Sequence, residues 1–154
     1  MKSNSTVRHA LLLLAALALT IIPSWRAGYA QNRAINLSNA NDLPFSDGIV
    51  AGNTLYVAGQ QGLDTSGKLV PGGIGPETKA TLVTIEKVVK AAGFDLKDIV
   101  SVNVYLADIN EFGDMNKVYK EFLPNPKPAR TTIQAAALVN HARIEISAIA
   151  VKQK

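Results

Sequence analysis

The stretch DGIVAGNTLYVAGQ, Asp47 to Gln60, decides the fold. Its β-branched and aromatic residues fall on either side of Gly52 and Asn53, a pair suited to a tight turn, so the stretch reads as a β-hairpin. Before it, residues 32–43 are polar and rich in Asn, which suits a short leading strand or a loosely held arm. After it, Gly62, Gly67, Gly72, Gly73 and Gly75, with Pro71 and Pro76, read as a flexible loop passing from strands to a helix. From Pro76 to Ala92 the apolar Leu82, Ile85, Val89 and Ala92 recur at helical spacing, with Gly93 suited to the left-handed residue beyond the last turn. Ile99 to Leu106 alternates as a strand. Asp108, with Glu111 three residues on, forms a capping-box pattern for a second helix striped by Phe112, Met115, Val118 and Phe122. Pro124, Pro126 and Pro128 stop that helix, and Arg130 to Ala135 and Ile144 to Val151 supply two more strands.

The order is strand, strand, helix, strand, helix, strand, strand. It predicts an α+β domain in which two helices cover one face of a mixed sheet. The other face carries apolar residues too, and a domain this small is expected to cover them by oligomerising.

Residues 1–30 read differently from the rest. Lys2 and Arg8 precede the apolar run ALLLLAALALTII, residues 10–22, and Pro23, Gly28 and Ala30 follow it, the three parts of a secretory signal. The run is shorter than the roughly 20 residues of a membrane-spanning helix. The expected mature domain is therefore residues 31–154, periplasmic or secreted, with no membrane attachment once the signal is cleaved; the alternative is an uncleaved membrane anchor. There is no Cys, which excludes lipidation at a cysteine and any disulfide. The 16 basic and 12 acidic residues give a net +4. Setting aside Lys2, Arg8 and Arg26 leaves thirteen basic against twelve acidic, a net +1, with no basic stripe to track a phosphate backbone. Nucleic acid is not the expected partner.

The chemical inventory is short. His141 is the one histidine beyond residue 30, so no zinc constellation is available. Ser46, Ser66 and Ser101 have no nucleophile-elbow context, and the glycines near position 73 lack the Lys-Ser/Thr ending of a phosphate cradle. Arg130 and Glu145 are the informative pair. If their strands pair antiparallel about a turn near Leu138 to Asn140, the two fall nearly opposite each other. Spacing alone leaves two readings open. One is an ordinary cross-strand ion pair. The other is a site in which a guanidinium fork binds a carboxylate and the glutamate activates water.

The blocks LPFSDGIVAGNTLYVAGQQGLD (43–64), ETKATLVTIEKVVKAAGFDLKDIVSVNVYLADINEF (77–112), PARTTIQ (128–134) and IEISAIAV (144–151) resemble, in order and spacing, those of the RidA/YjgF reactive-intermediate deaminases. The resemblance implies a chorismate-mutase-like fold assembled as a homotrimer, sheets inward, with clefts between subunits. It implies that Arg130 binds the substrate carboxylate and Glu145 positions the hydrolytic water. It further implies that Phe45, Gly59, Asn116 and Thr132 line the cleft. Phe45 stands where many members carry Tyr, and Ala58 where they carry Ser, so two hydroxyls are missing.

The implied activity is hydrolysis of the C=N bond of 2-imino acids such as 2-iminobutanoate and 2-iminopropanoate, giving 2-oxo acids and ammonia without a cofactor. The alternative is a binding module of the same fold for small carboxylates, which the missing hydroxyls would suit.

Overall fold

The computed structural model describes residues 31–38 and 43–152; the segment read as a secretory signal lies outside them. The strands are β1 (Arg33–Ile35), β2 (Gly48–Ala51), β3 (Thr54–Gln60), β4 (Ile99–Leu106), β5 (Ala129–Gln134) and β6 (Ile144–Val151). The helices are α1 (Ile74–Ala91) and α2 (Phe112–Phe122). The sheet order is β1-β2-β3-β6-β4-β5. All neighbours are antiparallel except β4 and β5, which are parallel and joined through α2. The mixed sheet and both helices agree with the expectation from sequence.

Local chemistry explains the element boundaries. Gly52 takes a φ of 63° in the two-residue turn between Ala51 and Thr54. At the end of α1, Gly93 has φ 84°, its amide donates to the Lys90 carbonyl, and the Phe94 amide donates to that of Val89. That double closure is a Schellman motif. Asp108 accepts from the Asn110 amide at 2.9 Å and opens a short 3-10 turn, Ile109–Glu111, leading into α2. Glu111 does not complete the capping box. Its carboxylate turns instead to the Arg143 guanidinium at 2.5 Å.

One face of the sheet packs under the helices. Leu55 and Val57 of β3, Val102, Val104 and Leu106 of β4, and Ile144, Ile146, Ala148 and Ala150 of β6 meet Leu82, Ile85, Val88 and Val89 of α1 and Met115 and Tyr119 of α2. Each large side chain so buried contributes about 1.5–3 kcal/mol. The core stripe of α2 thus runs through Met115 and Tyr119 rather than Phe112, which is 38% exposed. The opposite face, left without helices, presents Ile49, Tyr56, Tyr105, Ile133 and Ile149, with Ser101, Asn103, Ser147 and Glu145 among them.

Two expectations are corrected. β5 and β6 do not pair: β4 lies between them. IEISAIAV, apolar throughout its length but for Glu145 and Ser147, is hydrogen-bonded on both sides as a central strand, while ARTTIQ, preceded by Pro128, takes the edge. The glycine-rich loop is also more structured than its composition suggests. Asp64 accepts from Ser66 and Lys68, Leu63 bridges Leu69, and Gly75 lies within the first turn of α1.

Candidate active site

Glu145 is the second residue of β6, on the face without helices, and sits over Gly59 where the β3–β6 register shifts between Val57 and Gln60. A Cβ on Gly59 would lie 2.2 Å from Glu145 Oε1, so only glycine leaves the carboxylate its place. Glu145 Oε2 accepts from Gln61 Nε2 at 3.1 Å. Around it opens a cleft of about 580 Å³, walled by the apolar Leu43, Phe45, Ala58, Leu63 and Val139, with Gln61 and Asn140 as polar neighbours. Phe45 is 54% exposed at its mouth. The cleft brings together three sequence-predicted residues, Phe45, Gly59 and Glu145.

The start of β6 is held from behind by a residue that sequence reasoning missed. Glu77, 3% exposed in the first turn of α1, accepts from the amides of Arg143 at 2.7 Å and Ile144 at 3.4 Å. An acid in a first turn reads from sequence as a favourable helix-dipole charge, and nothing in its spacing points to a distant strand.

Arg130 occupies a different place. It aligns with the buried Val102 and lies on the helix-covered face, its guanidinium 4.5 Å from the centre of the Tyr119 ring and 5.5 Å from that of Phe112. Stacking of this kind fixes the planar group while leaving its edge donors for an anion. No acidic residue among the described residues forms a salt bridge with it. Thr132 follows on the same face with a buried, unpartnered hydroxyl, and the Tyr119 hydroxyl is likewise buried and unpartnered. Burial raises the Tyr119 pKa, and the Arg130 charge opposes that rise in part. Asn116 lies on α2 one turn from both Phe112 and Tyr119, on the same stripe. Arg130 and Thr132 therefore form a second group, with Asn116 on the α2 stripe that carries the two stacked rings.

The two groups do not meet within one chain. Glu145 aligns with Tyr105 and Arg130 with Val102, so they are two strands apart laterally and three residues apart along β4. Those offsets amount to about 10 Å in each direction, and the side chains leave opposite faces. The cross-strand ion pair is excluded. His141, exposed with a φ of 58°, belongs to the loop beside the Glu145 cleft, and no cluster of metal-ligating side chains occurs among the described residues.

Comparison with known proteins agrees with this architecture. The sequence pattern of the family described as endoribonuclease L-PSP matches residues 38–152. The chain is 46% identical over 110 residues to the 2-iminobutanoate/2-iminopropanoate deaminase of Bos taurus, covering 71% of this chain and 80% of that one. The crystal structure of RidA from an Antarctic Psychrobacter superposes with a TM-score of 0.73 at 32% identity, covering 78% of this chain and 99% of the other. That of the E. coli YjgF gene product gives 0.73 at 29% identity, covering 79% and 99%. The strand order, the helix-covered face and the sequence relatives lead to one statement: the chain belongs to the endoribonuclease L-PSP family, also called RidA/YjgF.

Proposed function

We propose that the protein is a deaminase that hydrolyses 2-imino acids to 2-oxo acids and ammonia, in clefts between the subunits of a homotrimer. The observation that carries this reading is the Arg130 guanidinium, stacked on Tyr119 and Phe112 and without a carboxylate partner among the described residues. A 2-imino acid supplies the missing carboxylate. Glu145 then belongs to the neighbouring protomer, whose open sheet face brings its cleft against the β5 edge.

Arg130 binds the substrate carboxylate through its fork and so fixes the C=N carbon. Glu145 takes a proton from water as the oxygen bonds to that carbon and the C=N electron pair passes to nitrogen. The proton passes from Glu145 to that nitrogen, and as the carbinolamine C–N bond breaks the hydroxyl proton reaches the departing nitrogen by the same carboxylate, so that ammonia leaves and the 2-oxo acid remains. Leu43, Phe45, Leu63 and Val139 wall the cleft with apolar surface, which suits aliphatic side chains on the substrate. The absence of hydroxyls at Phe45 and Ala58 leaves the arginine clamp intact. A small cleft of this kind, with the near-neutral charge beyond residue 30, favours a small carboxylate over RNA.

Export completes the proposal: residues 1–30, with Lys2 and Arg8 before an apolar run, direct the chain out of the cytoplasm, and the remainder acts outside it. The assay that tests the activity generates imines with an amino-acid oxidase and follows 2-oxo acid release. Release faster with the protein than without it supports the deaminase. Equal rates, together with saturable binding of a 2-oxo acid, favour the carboxylate-binding module.

A further inference from the structure

We infer that Gln61 is a positioning residue for Glu145, tying the carboxylate to the loop that forms the opposite wall of the cleft. The inference rests on the deaminase reading of Glu145. The Gln61 carboxamide has two N–H donors and one carbonyl acceptor, and all are engaged. Nε2 donates to Glu145 Oε2 at 3.1 Å and to the Val139 carbonyl at 3.0 Å, while Oε1 accepts from Asn140 Nδ2 at 3.3 Å. No other hydrogen bond to the Glu145 side chain occurs among the described residues.

The consequence is a division of labour between the two carboxylate oxygens. Oε2 is held by Gln61, and Oε1, above Gly59, has no hydrogen bond among the described residues, which leaves it as the oxygen to accept the water's proton. The loop on the far side of Gln61 is strained, because Asn140 and His141 are successive non-glycine residues with φ of 59° and 58°. Such a conformation persists where its surroundings hold it, and two of the holding contacts are Gln61 to Val139 and Asn140 to Gln61.

The test is Gln61→Met, which keeps the length of the side chain and removes all three hydrogen bonds, made in both the parent and a Glu145→Gln background. In the parent, kcat for 2-imino acid hydrolysis should fall about tenfold through misplacement of the base. Binding of 2-oxobutanoate, the product held by Arg130, should stay within about twofold. In the Glu145→Gln background the same substitution should change kcat by less than about twofold, since residues acting as one unit are not additive. An equal loss in both backgrounds, or no loss in the parent, overturns the inference. A parent without turnover removes the deaminase reading instead, and the positioning role is then decided by crystal structures of parent and Gln61→Met. Displacement of the Glu145 carboxylate from above Gly59 supports it; an unmoved carboxylate overturns it.

Discussion

Arg130 leaves the sheet on its helix-covered face and Glu145 on its open face, with β4 between their strands. A guanidinium and a carboxylate so placed neutralise nothing for each other. Each instead sits beside unpartnered or apolar surface that a second copy of the chain can complete.

The proposed site requires assembly, because one chain keeps the two groups apart. Light scattering should give the mass of three chains, with the open face carrying Tyr56, Tyr105 and Ile149 turned inward. A stable monomer at micromolar concentration would remove the cleft on which the proposed chemistry depends.

Gly59→Ala isolates the placement of Glu145. The added methyl would stand 2.2 Å from Oε1, and Gly59 does not need a left-handed backbone, so the carboxylate has to move. Turnover should fall on the order of 10- to 100-fold, while the melting temperature changes little. Parental turnover in this variant would place the working oxygen elsewhere.

Glu77 should matter for stability first. Glu77→Ala leaves the Arg143 and Ile144 amides without their carboxylate, which costs about 2–3 kcal/mol, read as a lower urea midpoint. Glu77→Gln keeps an acceptor and should cost less. Equal midpoints for all three proteins would contradict the clamp.

Much of the fold is legible in residue patterns. Alternation in Ile99 to Leu106 marks β4, the short apolar run Ile144 to Val151 marks β6, and the 3.6-residue rhythm with Gly93 marks α1, because burial acts on local patterns. Strand order is not local. Nothing between Arg130 and Glu145 announces that β6 inserts beside β3 and leaves β5 at the edge, so residue chemistry singles out both while spacing wrongly pairs their strands. Gln61 is not legible in the sequence, because a glutamine in a loop has no period and its partners lie 78 to 84 residues away. Nor is Tyr119, because Phe112 and Val118 offer a competing stripe on the same short helix.

The export proposal predicts a mature chain beginning at or near Gln31. Intact-mass measurement on protein from the native host reads this directly. A full-length cytoplasmic species would contradict it, and a full-length membrane-bound species would indicate an uncleaved anchor.

The composite site is tested most directly by complementation between two damaged chains. Alone, Arg130→Lys keeps the charge and loses the carboxylate fork, so 2-oxo acid binding weakens. Glu145→Gln keeps the shape and loses the base, so binding survives and turnover falls on the order of 100-fold. Co-expressed with different tags and purified through both, the two variants form mixed trimers in which one cleft of three joins an intact Arg130 to a neighbour's intact Glu145. The expected result is recovery of about one third of the parental imine hydrolysis, from chains that are each deficient in homotrimers. Mixed trimers no more active than either homotrimer would contradict a site built by Arg130 of one protomer and Glu145 of the next.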